Sequence, residues 1–150
     1  MKANIWIRDI ICQIVVDYKS TDLIYSILNE FIPRYQNLSL DYVGKPSNED
    51  YIFKSEDEML RYYVDTLKVD QTFYWNKYEN NENKIMVGVC ITEDDKMVFS
   101  LTFNGGEETK DLYFNKLKRS LNSDIGIVSY VNPVMYKDGA DFKNKCRQVD

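Results

Sequence analysis

The stretch QTFYWNKYENNENKIMVGVCITEDDKMVFSLTF, residues 71–103, contains three runs of β-branched and aromatic residues separated by short polar segments. The runs cover residues 72–78, 84–92 and 97–103, and each has a length typical of strands. Loops this short join antiparallel strands, because parallel strands need a crossover of a dozen or more residues. The stretch therefore predicts a three-stranded antiparallel meander, with a turn at residues 93–96 between the last two strands.

Two helical patterns precede the meander in the chain. In residues 20–33 apolar residues recur at helical spacing, with Ser20 or Thr21 as the N-cap. The second pattern starts at Ser55, which forms a predicted capping box with Glu58. The expected buried positions are Leu23, Ile24, Ile27, Leu28 and Phe31 in the first helix and Met59, Leu60, Tyr63 and Leu67 in the second.

A third helical pattern follows the meander. It starts after NGGEET, residues 104–109, which we interpret as a strand-to-helix turn because its acidic residues are unsuited to holding a phosphate. Residues 125–131 then form a strand pattern that Pro133 ends, and the tail from residue 141 fits one short turn of helix. The expected buried side of the third helix consists of Leu112, Phe114, Leu117 and Leu121.

The remaining strand patterns lie before the second helix. Residues 3–7 and 10–18 are rich in β-branched residues but are separated by Arg8 and Asp9, which predicts a hairpin or two short strands. The sequence LSLDYV, residues 38–43, alternates and predicts a further strand. Strands in groups separated by single helices indicate an α+β fold, with about three helices packed on a mainly antiparallel sheet.

The composition is typical of a globular protein with one domain. The chain has 150 residues, of which 44% are hydrophobic and 29% charged, so we expect a single domain over residues 1–150. No apolar run approaches the ~18 residues of a membrane span, and the N-terminus lacks the cleavage site of a signal peptide. Three separated cysteines are typical of reduced thiols, so we expect a cytoplasmic protein.

The missing histidine and the net charge restrict the function. Without histidine or paired cysteines the chain lacks the commonest general base and zinc ligands, so we expect no metal, no cofactor and no enzymatic activity. The formal net charge is −5, and residues 51–100, with 6 basic and 10 acidic groups, contribute −4. This charge argues against binding to nucleic acid and favours a basic protein partner, although mild acidity also serves solubility alone.

The aromatic part of the opening stretch is the first candidate contact surface. In a strand over residues 72–78 the side chains alternate, so Phe73 and Trp75 are expected in the core and Tyr74 on the opposite face. Tyrosine is enriched in binding hot spots, and an acidic loop follows. The turn TEDDK, residues 92–96, is either a plain charged turn or a second contact. The candidate partner-binding residues are Tyr74, Asn76, Tyr78, Glu79, Glu82, Glu93, Asp94 and Asp95.

Two long segments of the chain resemble small bacterial immunity proteins that accompany polymorphic toxins, including those of contact-dependent growth inhibition systems. The segments are QTFYWNKYENNENKIMVGVCITEDDKMVFSLTFNG, residues 71–105, and YFNKLKRSLNSDIGIVSYVNPVMYKDGADF, residues 113–142. The resemblance implies a cytoplasmic inhibitor that binds and blocks one cognate toxin domain, in many cases a nuclease with a basic cleft. It is a resemblance of overall pattern and carries over no individual site residues.

Two other functions are compatible with the same residues. A small-ligand or carbohydrate-binding module is suggested by Tyr74, Trp75 and Tyr78 with the neighbouring asparagines, because sugars stack on aromatic rings and form hydrogen bonds with amides. An enzyme that uses carboxylates or tyrosine is the third hypothesis, and no motif favours it.

Overall fold

The computed structural model describes residues 5–76 and 83–148, and within these residues the chain forms five strands and four helices. The strands are β1 (Ile7–Val16), β2 (Gln71–Trp75), β3 (Met86–Ile91), β4 (Met97–Gly105) and β5 (Gly126–Tyr130). The helices are α1 (Thr21–Phe31), α2 (Glu56–Asp65), α3 (Glu107–Leu121) and α4 (Gly139–Arg147). This architecture confirms the predicted α+β class, with four helices in place of about three. None of these four helices is long and apolar enough to cross a membrane.

The strands form one sheet in the order β2-β3-β4-β1-β5, and every neighbouring pair is antiparallel. The predicted meander is confirmed as β2-β3-β4. Strand β1, the first in the chain, lies inside the sheet between β4 and β5. It is buried from Ile10 to Val16, which explains why its apolar residues run almost without interruption.

The prediction of a hairpin or two short strands at the N-terminus is wrong, because β1 is one strand with a β-bulge. Ile7 pairs with Gly105 and Ile10 with Phe103, so β1 has one extra residue between these two pairs. At the bulge Asp9 adopts a positive φ of 57°, and its backbone N–H donates to Oδ1 of Asn104 over 3.0 Å. The polar break in the sequence therefore marks a bend in the strand and not a turn.

The predicted strand at residues 38–43 is also wrong. These residues belong to a long loop between α1 and α2, in which Leu38 is half-buried and Leu40 and Tyr42 are exposed. The loop lies beside β2, but the contact is made by a side chain: the Tyr74 N–H donates to the hydroxyl of Tyr42 over 3.3 Å. Without backbone pairing to a neighbour, the alternating pattern does not become a strand.

The helix starts agree better with the sequence than the helix ends. The Ser20 hydroxyl accepts the Leu23 N–H over 3.1 Å, and the Ser55 hydroxyl accepts the Glu58 N–H over 3.0 Å, as predicted. The capping box at Ser55 is only half formed, because the Glu58 carboxylate accepts a hydrogen bond from the Tyr51 hydroxyl instead. The C-terminal tail forms α4, a nine-residue helix and not one short turn.

Two of the predicted core positions are exposed. Leu67 is 71% exposed because α2 ends at Asp65, and Leu112 is 58% exposed because it lies on the outer side of α3. Phe114 is half-buried, and the other predicted positions of α2 and α3 are buried as expected. The helical spacing therefore identified the buried faces of α2 and α3. The position where α2 ends and the width of the buried face of α3 depended on the packing.

The helices cover the two faces of the sheet unequally. Helices α1, α2 and α3 pack on one face and enclose the main hydrophobic core, which includes Phe73, Trp75 and Phe99. We call this the covered face. On the opposite face α4 shelters a second, smaller cluster of Val15, Val98, Ile127 and Phe142. We call this the open face, because α4 covers only one end of it.

Candidate binding groove on the open face

A groove of about 1050 Å³ occupies the part of the open face that α4 leaves uncovered. Strands β1 to β4 form its floor, residues 36–42 of the α1–α2 loop form one wall, and residues 131–136 after β5 form the other. We call it the open-face groove. Its volume is at the upper end for small-molecule pockets and is large enough to hold a few partner side chains.

The floor of the groove is low because its side chains are small. On the groove side β3 carries Met86, Gly88 and Cys90 and β4 carries Val98, Ser100 and Thr102, so four of these six residues are small or polar. On the covered face the same strands carry Val87, Val89, Phe99 and Leu101. Period-two alternation therefore places bulky apolar residues under the helices and small or polar ones under the groove.

The first wall is fixed by the core beneath it. Glu56 is 6% exposed, and its carboxylate Oε2 accepts the Leu38 N–H over 2.7 Å and the Trp75 indole N–H over 3.0 Å. Tyr42 stacks on Phe73 with ring centroids 6.0 Å apart. A buried carboxylate with two donors is satisfied, so Glu56 ties this wall to both α2 and β2.

The second wall is fixed by Gln13, a buried residue of β1. Its Nε2 donates to the Val134 carbonyl over 3.2 Å, and its Oε1 accepts the Val134 N–H over 2.8 Å. Val131 has a φ of 70°, which is unfavourable for a β-branched residue, and its N–H donates to the Asp9 carbonyl over 2.9 Å. Val131 and Met135 are 68% and 76% exposed, so this wall presents apolar side chains to solvent.

Three tyrosines line the groove, Tyr42, Tyr74 and Tyr136, and the pKa of two of them is raised. Burial raises the pKa of the Tyr74 hydroxyl, with smaller contributions from Cys90 and Tyr42. Burial also raises the pKa of Tyr136, to which the neighbouring Cys90 thiol and Tyr74 add. The Tyr74 and Tyr136 phenols therefore act at neutral pH as uncharged hydrogen-bonding groups, and the Tyr74 ring is the exposed one of the two.

The structure places the aromatic candidates of the sequence in this groove as far as it describes them. Tyr74 and Asn76 line the groove and are exposed, while Phe73 and Trp75 are buried in the core as predicted. Strand β2 ends at Trp75, so it is shorter than the strand predicted over residues 72–78. The other three candidates of this segment, Tyr78, Glu79 and Glu82, lie outside the described residues.

The acidic turn between β3 and β4 has a structural role. Asp94 accepts the N–H groups of Gly139 and Ala140 over 2.9 Å each, so it caps the start of α4. Asp95 pairs with Lys19 at 3.0 Å and accepts the Lys68 N–H over 2.9 Å. Both carboxylates are engaged within the protein, which leaves Glu93 as the exposed carboxylate of this turn.

The aromatic and acidic candidates do not form one site. Gly88 pairs with Tyr74, and Glu93 follows Gly88 by five residues along β3 and its turn, a distance of about 16 Å at the rise of a strand. The acidic turn therefore lies beyond the end of β3, while Tyr74 lies over the middle of that strand.

Sequence reasoning missed Gln13, Tyr42 and Tyr136 as groove residues. Their positions depend on a loop and a tail segment that meet the sheet only in three dimensions. The isolated Gly88 inside an apolar strand was the one local signal, because such a glycine indicates a close approach by another group.

The described residues contain no group of three or more cysteine, aspartate or glutamate side chains that could hold a metal ion. The most buried thiol, Cys12, lies in the core, where burial raises its pKa to about 12. Such a thiol remains protonated and packs as a small apolar group.

Comparison with known protein families, with curated protein sequences and with solved structures gives no significant match. The open-face groove and the charge of the chain are therefore the observations from which we argue a function.

Proposed function

We propose that this protein is an immunity protein that binds and neutralises a cognate bacterial toxin domain, and that the open-face groove is its contact site. The groove is the observation that carries this proposal. Its first wall and floor bring Tyr42, Tyr74 and Asn76 together, and its second wall adds the exposed Val131 and Met135. Exposed aromatic and apolar side chains with a polar surround are typical of protein contact surfaces.

The charge of the chain supports a basic partner. The net charge is −5, and the described residues that line the groove include the carboxylate of Asp9 but no lysine or arginine. A toxin domain with a basic substrate cleft, such as a nuclease, would be attracted to this surface and would approach it faster at low salt. In this proposal the protein acts as an inhibitor in the cytoplasm and has no catalytic role.

The contact surface that we propose includes fewer residues than the eight candidate partner-binding residues identified from the sequence. Tyr74 and Asn76 belong to it, and Glu93 is available at the far end of β3. Asp94 and Asp95 are not part of the proposed contact surface, because their carboxylates accept hydrogen bonds from the N–H groups of Gly139 and Lys68.

If a toxin domain is encoded directly upstream of the gene, coexpression with that domain tests the proposed function. We expect the protein to restore growth and to form a complex with the purified toxin domain that calorimetry can measure. A protein that neither binds this domain nor restores growth would contradict the proposal.

A groove-filling substitution tests the contact site. Thr102→Trp places a large side chain on the groove floor, and Asn115→Trp makes the same change at an exposed position on α3. We expect the first variant to lose growth rescue at an unchanged unfolding midpoint and the second to keep it. If both variants rescue equally, the toxin contacts another face.

A small-ligand or carbohydrate-binding module is the second candidate, and the groove itself favours it. Its volume of about 1050 Å³ is at the upper end for ligand pockets, and it combines ring surfaces with the amides of Gln36, Asn37 and Asn76. Screening the protein on a glycan array is a direct test. Binding of a glycan that Thr102→Trp abolishes would favour this candidate, and an array without signal would dismiss a glycan ligand.

A further inference from the structure

The ring of Tyr74 rests on a glycine in the neighbouring strand. Tyr74 pairs with Gly88, and a Cβ built on Gly88 would lie 2.8 Å from the ring atom Cε1 of Tyr74 and would overlap Ser100 Oγ. Only a residue without a side chain therefore allows the ring to lie over β3. Tyr74 is nevertheless 45% exposed, so part of its ring surface faces the groove.

The groove surrounds this ring with hydrogen-bond acceptors and with little charge. Asn76, Ser100 and Thr102 contribute amide and hydroxyl oxygens, and Tyr136 contributes a further phenol. Asp9 is the one charged side chain among the described lining residues. The face of an aromatic ring carries partial negative charge, so this part of the groove suits a positive group and contains none of its own.

We infer that the open-face groove seats one arginine side chain of the partner, with its guanidinium plane against the exposed ring surface of Tyr74. The inference rests on the proposed function, because the partner is the basic toxin domain. Arginine is favoured over lysine because the guanidinium is planar, stacks on aromatic rings and presents five N–H donors to the surrounding oxygens. Gly88 is the residue that gives the Tyr74 ring its orientation.

A pair of short peptides tests the proposed arginine-binding site without the toxin. The peptides are acetyl-Gly-Gly-Arg-Gly-Gly-amide and the same sequence with citrulline, which has nearly the same shape but no charge. We expect the arginine peptide to shift the NMR signals of the Tyr74 ring and the citrulline peptide to shift them far less. Equal shifts for both peptides, or shifts with a neutral oligosaccharide alone, would overturn the inference.

Matched substitutions of two tyrosines distinguish binding of arginine at Tyr74 from general attraction of a cation to an acidic protein. Tyr130 is 46% exposed, close to the value for Tyr74, but it does not line the groove. We expect Tyr74→Leu to weaken arginine-peptide binding by roughly 3- to 30-fold, while Tyr130→Leu leaves it unchanged. Tyr74→Phe keeps the ring and should retain binding within about 2-fold. Equal loss in the two leucine variants would overturn the inference.

Binding of the toxin domain to wild-type protein and to Tyr74→Leu is the last measurement. If wild-type protein binds the toxin domain and Tyr74→Leu binds it with the same affinity, the inference fails while the proposed function stands. If wild-type protein does not bind the toxin domain, the proposed function fails, and the peptide pair still decides whether the groove seats a guanidinium.

Discussion

The two faces of the sheet are made by the same strands and differ in what the chain places on them. On the covered face three helices bury Phe73, Trp75 and Phe99 almost completely. On the open face the small residues of β3 and β4 leave a groove, and Tyr74 is 45% exposed. The covered face is held by the packing of large apolar side chains, while a few hydrogen bonds hold the walls of the open-face groove. The covered face therefore holds most of the core, and the open face carries the site that we propose for partner contact.

The largest expected effect is a loss of stability from a cavity on the covered face. Phe73→Ala removes a fully buried ring and should lower the free energy of unfolding by about 3–5 kcal/mol. Tyr74→Ala removes a partly exposed ring from the adjacent position and should cost less than about 2 kcal/mol. Urea denaturation measures both values. Equal losses would show that the open face contributes as much to stability as the covered face.

A smaller effect is expected from the residue that holds the second wall of the groove. Gln13→Glu keeps an acceptor for the Val134 N–H but removes the donor to the Val134 carbonyl, and it buries a carboxylate. We expect a loss of about 1–3 kcal/mol and faster hydrogen exchange in residues 131–136. The matched control is Gln36→Glu in the exposed part of the first wall, which should change stability by less than about 0.5 kcal/mol. Similar losses in both variants would contradict a specific role for Gln13.

Asp94 connects the acidic turn to α4 and should make this connection depend on pH. Burial alone would raise the pKa of Asp94, but hydrogen bonds from Thr92 and from the N–H groups of Gly139 and Ala140 outweigh it and lower the pKa. A lowered pKa in the folded state contributes stability above the unfolded value of about 3.9, and this stability is lost as the pH falls through the folded value.

Asp94→Asn tests this connection. At neutral pH we expect a loss of about 0.5–2 kcal/mol, because the amide of asparagine has one acceptor oxygen for two backbone donors. The difference from wild type should shrink below about pH 4, where the carboxylate of the wild-type protein starts to lose its advantage. Glu93→Gln is the neutralising control at the neighbouring exposed position. A difference that stays constant from pH 7 to pH 3 would contradict the role of the Asp94 charge.

The smallest effect on stability is expected at Glu93. Because Asp94 and Asp95 hold other parts of the chain, reversing all three charges of the turn would mix loss of folding with loss of binding. Glu93→Lys alone should change the unfolding free energy by less than about 0.5 kcal/mol, since the side chain is exposed. If the turn contributes to the encounter with a basic toxin domain, stopped-flow association at low salt should be slower with this variant. Unchanged association rates would restrict the contact to the groove.

Much of the fold follows from local patterns. Spacing and residue type predict the three strands of the meander, the cap at Ser55, Ser20 as one of two candidate caps, and the division of Phe73 and Trp75 from Tyr74. Only part of the groove was predicted. Tyr74 and Asn76 were identified by the alternation of β2, whereas Gln13, Tyr42 and Tyr136 come from distant parts of the chain.

The sequence by itself determined the helical segments of α1, α2 and α3, the three strands of the meander and β5, because these patterns depend on neighbours within a few residues. The tertiary structure alone decided that β1 lies in the middle of the sheet, that residues 38–43 remain a loop, and that Asp94 and Asp95 are engaged within the protein. A strand needs a partner for its backbone groups, and a carboxylate remains free only if no donor reaches it. Both conditions depend on residues far away in the chain, so local patterns do not contain them.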